Sequence, residues 1–325
     1  MSVAVFALGG TISVSGRAKG ERLTGAEITS AVPGLDESGV LLDVRDAHAV
    51  PSGSLTFAQI LEVVRDASRA VAEGAAGIVV TQGTDTLEET AFVVDLVWPH
   101  DAPFLRPRAL RPPAWAGAEA PPYVLPAFRV AGSRGVGGRG AVVPFNDEVH
   151  AARWVRKSHS TSTATFVSPN AGPVGHVVEG RVRVLAAPRR RGLRPAAFDA
   201  ERLDAARVAL HCVTLDDDGS QLTGLAETHQ GLVVAGFGVG HVPARLSPLL
   251  GALAECIPVV LTSRTGSGPV LRHTYHQPGS ETDLQERGLI NGGLLDPYKA
   301  RVLLRLLLAA GADRDEVAAA FAEHG

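Results

Sequence analysis

GIVVTQGTDTLEET, residues 77–90, changes from one structural pattern to another within a few positions. Ile78, Val79 and Val80 form a short β-branched run of the kind buried on both faces of a parallel sheet. Leu87-Glu88-Glu89-Thr90 then opens a helical pattern. Thr84 or Asp85 is placed to cap that helix, and Glu88 and Glu89 suit the positive end of its dipole. Hydroxyls and a carboxylate thus stand at the carboxyl end of a strand and the amino end of a helix, where open α/β sheets bind ligands. A well-capped strand–helix turn with no further role fits the same residues, and only the rest of the chain separates the two readings.

The flanking sequence extends the pattern on both sides. Val3-Ala4-Val5-Phe6-Ala7-Leu8 reads as a buried strand and runs into Gly9-Gly10-Thr11-Ile12-Ser13. The two glycines let backbone N–H groups approach a ligand closely, and Thr11 stands at the strand's end. Residues 15–24 are polar and glycine-rich and read as a loop. Thr24, with Glu27 three residues on, forms a capping box for a short helix over 25–32. A strand over 41–44 leads to the loop HAVPSGS at 48–54. Thr56 caps a longer helix with Phe57, Ile60, Leu61, Val63, Val64 and Ala67 at helical spacing and Gly74 as its stop. Strands and helices alternating with short loops predict a parallel sheet.

Residues 101–140 interrupt this order. The next strand belongs near 103–110, but PFLRPRAL contains Pro107, which removes a ladder donor, and Arg106 and Arg108. An edge strand, a loop or a locally poorly folded segment is expected there. Order returns with a strand over 140–145 that ends at Asn146-Asp147-Glu148, and FVSPNAG at 166–172 reads as a turn. Residues 181–187 read as a strand, and the Arg- and Pro-rich residues after 188 as a linker. The second half repeats the alternation: strands over 208–215, 231–235 and 257–261, helices near 220–229 and 247–255, and two closing helices over about 297–310 and 313–324. This predicts an α/β chain of two domains, residues 1–188 and 207–325, joined by a linker at 189–206.

The composition narrows the function. The chain has 325 residues, 45% hydrophobic and 20% charged, enough for a large core. Its net charge of −3 points to neither nucleic acid nor an anionic membrane surface. Cys212 and Cys256 sit in apolar runs and read as small buried hydrophobes, not as a disulfide or metal framework. The N-terminal residues lead straight into a strand, and no apolar run approaches the roughly 18 residues that span a bilayer. A cytoplasmic protein with no membrane partner is expected. Lysine occurs only at 19, 157 and 299, so each lysine is informative.

Several chemistries find little support. GFGVG at 236–240 follows a strand, but His241-Val242-Pro243 stands where a phosphate-cradling helix should open. There is no Walker motif and no Gly-x-Ser-x-Gly elbow. The histidines are scattered, His273 and His276 flank Tyr275 without a ligand set, and Asp216–Asp218 reads as a solvated turn. No metal or cofactor is expected. Threonine remains: Thr11 and Thr84 both sit at strand ends after glycine, and Asp85 is beside the second. A hydroxyl nucleophile needs a base. Lys157, in the hydroxyl-rich KSHSTSTATF, is the candidate, because a desolvated amine can act as a base where a guanidinium cannot. An exposed lysine in a basic run with Arg153 and Arg156 accounts for the spacing equally well.

Taken together, LGGTIS at 8–13, TQGTDTLEETAF at 81–92, KSHSTSTATFVSPNAGPVG at 157–175 and LDPYKARVLL at 295–304 resemble the bacterial-type L-asparaginase (asparaginase/glutaminase) family. The resemblance covers nearly the whole chain, and the paired GGT and GTDT motifs are its most specific part. It implies a larger N-terminal domain with a flavodoxin-like, mostly parallel sheet and a smaller C-terminal α/β domain. It also implies a homo-oligomer, a dimer or a tetramer of intimate dimers with sites at subunit interfaces. By the same resemblance Thr11 is the nucleophile, and Thr84, Lys157 and Asp85 match the second hydroxyl, the lysine and the aspartate. The lysine and hydroxyl handle the proton, and the aspartate holds the substrate's α-amino group. Ser52 falls where a serine meets the α-carboxylate, and Glu281 where a glutamate reaches in from a neighbouring subunit. Backbone amides at Gly10–Thr11 and Gly83–Thr84 could serve the oxyanion.

Three departures accompany the match. Residues 12–33 contain no tyrosine, and Arg22 and Leu23 stand roughly where the family carries one. His241 sits where many members have asparagine. In segment 104–125, LRPRALRPPAW and AGAEAPPY replace an apolar strand, its glycine turn and an Ala-Asp-Gly-Pro-like loop. The expected function is hydrolysis of L-asparagine to L-aspartate and ammonia, with glutaminase as a possible side activity. The alternative is a degenerate, non-catalytic or weakly active amino-acid-binding member.

Overall fold

The computed structural model describes residues 2–10, 13, 23–30, 32, 34–35, 39–105, 127–128, 130–131, 137–179, 181–187, 192–193, 198 and 200–325. Thr11, residues 14–22, most of the atypical 104–125 segment and parts of the expected linker lie outside that set. The chain divides into two compact units, 1–195 and 196–325.

In the first unit, β1 (Ser2–Ala7) is paired in parallel with both β2 (Leu41–Asp46) and β3 (Gly77–Thr81). Beyond β3 lie β4 (Phe104–Leu105) and β5 (Ala141–Phe145), also parallel. The order β2-β1-β3-β4-β5 is that of a flavodoxin-like sheet, whose direction of winding reverses between β1 and β3. Antiparallel β6 (Glu148–Ala151), β9 (Gly175–Val178) and β10 (Arg181–Val184) extend it to eight strands. Asn146 and Asp147, with φ of 49° and 60°, form the two-residue turn that joins β5 to β6. Two short strands, β7 (Arg156–Lys157) and β8 (Phe166–Val167), pair among the described residues only with each other.

Local sequence explains the helices that cover this sheet. α1 (Gly25–Ser30) carries the expected cap: Thr24 N donates to Glu27 Oε2 at 2.8 Å and Glu27 N to Thr24 Oγ1 at 3.2 Å. α2 (Phe57–Ala72) starts with a capping box between Thr56 and Gln59 and buries Ile60, Leu61, Val63, Val64 and Ala67 on one face. Each fully buried aliphatic side chain contributes about 1.5–3 kcal/mol. α3 (Leu87–Val97) is buried on nearly every side, as its run Ala91–Val94 suggests.

β4 is neither an edge strand nor a loop. Phe104 and Leu105 are completely buried between β3 and β5, while Arg106, Pro107 and Arg108 lie outside the described residues.

The second unit has one parallel sheet in sequence order: β11 (Val208–Cys212), β12 (Gly231–Gly236), β13 (Val259–Ser263) and β14 (Ile290–Asn291). The helix expected near 220–229 breaks into a 3₁₀ turn (Ser220–Leu222) and α5 (Leu225–Thr228), following α4 (Ala200–Ala205), because Gly224 takes φ 70° between the two pieces. α6 (Ser247–Cys256), α7 (Glu281–Glu286), α8 (Pro297–Ala309) and α9 (Arg314–His324) complete the unit. Leu232, Val234, Leu246, Leu250, Leu261 and Leu284 lie in its core. Both cysteines are exposed and free, contrary to the expectation from their apolar runs. Cys212 ends edge strand β11 and Cys256 ends α6, so each is the last residue of its element. Asp217 is held by His211 Nε2 at 2.8 Å and by the N–H groups of Gly219 at 3.0 Å and Thr214 at 3.3 Å.

One contact sets the position of the loops above the first sheet. Gly9 and Gly10 take φ of 85° and 88°, and a Cβ on Gly10 would lie 2.1 Å from Gly83 N. Gly10→Ala is therefore expected to lose about 2–4 kcal/mol of stability from overlap and left-handed strain together. Gly39→Ala, at φ 69° with nothing among the described residues within 4 Å of the added Cβ, is expected to lose only about 1 kcal/mol. Denaturant unfolding of the two variants checks the difference. The Asp217 carboxyl supplies a second test. Burial pushes its pKa up, but the Gly219 N–H and His211 outweigh burial and hold it below its ordinary value. A depressed carboxyl stabilises above its unfolded pKa of about 4 and loses that contribution as pH falls through the folded value. Calorimetric melts below about pH 4 are expected to show a shallower acid decline in Asp217→Asn than in the unaltered chain, and equal slopes would refute this role.

Candidate active site

Parallel strands that end in step bring their following loops together. Ala7 is paired with Thr81, and Leu8 N donates to Thr81 O at 2.9 Å. The Gly9-Gly10 turn therefore lies against Gln82-Gly83. A Cβ on Gly83 would also meet Ser52 Oγ at 2.7 Å, so the 3₁₀ turn Ser52–Ser54 after β2 closes on the same point. Gln82 Nε2 donates to Thr90 Oγ1 at 2.7 Å and pins the turn to α3.

Around this glycine contact the polar side chains converge. Lys157 Nζ donates to Thr84 Oγ1 and to Asp85 Oδ1, both at 3.0 Å. The Lys157 backbone N–H donates to Glu88 Oε2 at 2.7 Å. Buried Ser52 accepts from Asp85 N through its hydroxyl at 3.2 Å and from Thr86 Oγ1 through its carbonyl at 2.8 Å. Thr84 is buried, the Lys157 side chain is 17% exposed, and Asp85 is 75% exposed. The arrangement presents a hydroxyl in hydrogen-bond contact with an amine, and beside it a carboxylate open to solvent that can accept an ammonium group.

The structure thus brings together six of the expected residues: Gly10, Ser52, Gly83, Thr84, Asp85 and Lys157. Thr11, directly after Gly10 in the chain, lies outside the described residues. The hydroxyl-rich segment around Lys157 is no plain surface run, since its main chain and its amine are both bonded to the 84–88 turn. Neither Thr84 nor Asp85 caps α3. Thr86 occupies the position before the helix without a side-chain cap, because its hydroxyl goes to Ser52, and the side chains of Thr84 and Asp85 go to Lys157.

Glu281 belongs to the second unit, at the start of α7. Its side chain is completely buried and accepts from Thr274 N at 3.0 Å, Tyr275 N at 2.9 Å and His241 Nε2 at 3.1 Å. Burial pushes this carboxyl up, but the Tyr275 and Thr274 N–H groups, with His241, outweigh it and hold its pKa below the ordinary value. The His241 ring meets Tyr275 edge-on at 4.8 Å. The GFGVG turn ends in the pair Phe237–His241, whose backbones bond in both directions at 2.7 and 2.8 Å, and a 3₁₀ turn (Ala244–Leu246) precedes α6.

Glu88 was read from sequence only as a favourable charge at a helix start. Its partner lies 69 residues away, and the local pattern gives no sign of it, since Glu89 beside it carries the same charge in the same first turn.

Comparison with known proteins fits this geometry. A family model described as "Asparaginase, N-terminal" matches residues 2–190, and one described as "Glutaminase/Asparaginase C-terminal domain" matches residues 207–321. A probable L-asparaginase of Deinococcus radiodurans is 32% identical over 99% of this chain and 97% of its own length. An L-asparaginase of Bacillus licheniformis is 33% identical over 95% of each chain. Among solved structures, a probable cytoplasmic L-asparaginase from Campylobacter jejuni superposes with a TM-score of 0.86 at 26% identity, covering 98% of both chains. With both models matched in order along almost the whole sequence, the chain belongs to the asparaginase/glutaminase family.

Proposed function

We propose that the chain is an L-asparaginase that hydrolyses the side-chain amide of L-asparagine to L-aspartate and ammonia, with a side activity on L-glutamine. The observation that carries this reading is the Lys157 amine, within hydrogen-bond reach of both the Thr84 hydroxyl and the Asp85 carboxylate. An amide is a poor electrophile, so its hydrolysis needs an activated nucleophile, a route for the proton and donors for the oxyanion.

Thr11 is the proposed nucleophile, since it follows the turn that packs on Gly83. Its oxygen adds to the amide carbon, and backbone N–H groups at Gly10–Thr11 and Gly83–Thr84 receive the oxyanion. The Thr11 hydroxyl proton passes by way of Thr84 to the Lys157 amine and from there to the leaving nitrogen, so that the C–N bond breaks and ammonia departs. Water then attacks the ester and gives its proton through Thr84 to the Lys157 amine; the ester C–O bond breaks, and that same proton returns from Lys157 to the Thr11 oxygen as aspartate leaves. Asp85 holds the substrate's α-ammonium, with Ser52 near the α-carboxylate. An ammonium on Asp85 takes that carboxylate away from Lys157 and leaves the amine to Thr84. In the family's pattern Glu281 serves a neighbouring subunit, and we assign the working form as a homo-oligomer, dimer or tetramer. The cytoplasm is the proposed location. The matched Campylobacter protein is described as cytoplasmic, and among the described residues no helix is long and apolar enough to cross a membrane.

Ammonia release from asparagine and glutamine tests the assignment. Thr11→Ala is expected to lower turnover by at least roughly 10³-fold while its melting temperature stays near that of the unaltered chain. Substantial residual turnover would remove Thr11 as nucleophile. Lys157→Arg retains a cation but no usable base, and a loss of roughly 10²-fold or more in kcat is expected. Aspartate binding by calorimetry without hydrolysis of either amide would instead favour a non-catalytic amino-acid-binding protein.

A further inference from the structure

The proton route runs through a lysine whose own backbone support is slight. β7 is two residues long and, among the described residues, pairs only with β8, outside the eight-stranded sheet. A lone two-stranded ribbon is marginal in water. Phe166 of β8 is buried and packs edge-on against Phe145 at 5.6 Å, which anchors the partner strand. On β7 the Lys157 N–H faces away from β8 and donates to Glu88 Oε2 at 2.7 Å. Glu88 is 8% exposed and lies in the first turn of α3, which directly follows the Thr84–Thr86 turn. A ring of contacts results: Thr84, the first turn of α3, Glu88, the Lys157 main chain, the lysine side chain, and back to Thr84.

We propose that Glu88 is a positioning residue of the reaction, holding the Lys157 main chain against the turn so that Nζ stays within reach of Thr84. This rests on the reading of Lys157 as the proton carrier. The physical basis is leverage. A hydrogen bond to a carboxylate is stronger than one to a neutral acceptor, and here the acceptor grows from the same turn that carries the target hydroxyl. Losing it frees a ribbon that, among the described residues, no larger sheet holds. A shift of about 1 Å carries Nζ from hydrogen-bond distance to no contact, and misplacement of that size costs roughly 10²-fold in rate.

The test compares Glu88→Leu with Glu88→Gln. Leucine fills a similar volume but cannot accept the N–H; the glutamine side-chain oxygen can. Glu88→Leu is expected to lose roughly 10²-fold in kcat with KM changed less than about threefold, and Glu88→Gln to recover most of that loss. A role limited to stability would lower the melting temperature and leave kcat per folded site unchanged. A folded Glu88→Leu with normal kcat overturns the proposal, as does an equal loss in both variants. A readout independent of turnover is available because the chain has three lysines. In protein labelled with 15N-lysine, the Lys157 amide proton, assigned through Lys157→Arg, is expected downfield and to move upfield in Glu88→Gln, with Lys19 and Lys299 unmoved. An unmoved Lys157 amide refutes the tie even if Glu88→Leu fails to fold. Failure of the unaltered chain to release ammonia from asparagine would overturn the asparaginase reading and the catalytic role of Glu88, and the amide shift would still decide whether the carboxylate holds the lysine.

Discussion

The backbone contact between Gly10 and Gly83 is the constraint from which the site follows. Neighbouring parallel strands end in register at Ala7 and Thr81, and their loops can touch only because neither residue carries a side chain into the gap. That contact fixes where Thr84 and Asp85 emerge and leaves Ser52 a place against Gly83. It lies where the winding of the sheet changes direction, so helices do not cover the loops from both sides. Side chains arriving from elsewhere, Lys157 above all, attach to a platform already formed by main chain.

Features dictated by neighbours in sequence were readable without a structure. β3 shows itself by three β-branched residues, and α2 by its period and the Thr56–Gln59 cap. Misreadings arose where one residue type serves two purposes. Hydroxyls and carboxylates before a helix are cap chemistry, and nothing near Thr84 and Asp85 shows that a lysine more than seventy residues later will claim them. Pro107 and Arg106 argued against an interior β4, but the apolar pair just before them, Phe104 and Leu105, is enough to place a strand between β3 and β5. Cys212 and Cys256 took on the apolar character of their runs, although each ends its element and faces solvent. Convergence of Ser52, Thr84, Asp85 and Lys157 was legible only through motif resemblance, since spacing alone left Lys157 as an exposed residue in a basic run.

The two units use buried polarity differently. In the second unit Glu281 and Asp217 are each surrounded by donors, which rigidifies the segments they join. Around Asp85 the arrangement is open. Its bond to Lys157 belongs to the class of exposed ion pairs worth about 0–1 kcal/mol, so an incoming ammonium can replace the lysine with little penalty. Firm attachment is kept for the lysine main chain and interchange for its tip, a division suited to the proton-carrying role proposed for Lys157.

The exposed cysteines have a practical side. Both thiols lie in the second unit, and all three tryptophans, at 98, 115 and 154, lie in the first. Intrinsic fluorescence therefore follows one half of the chain, and a thiol-reactive dye reports on the other. The unaltered protein carries separate optical reporters for its two halves, so whether they melt as a single cooperative block or in succession can be observed in one sample without engineering a label.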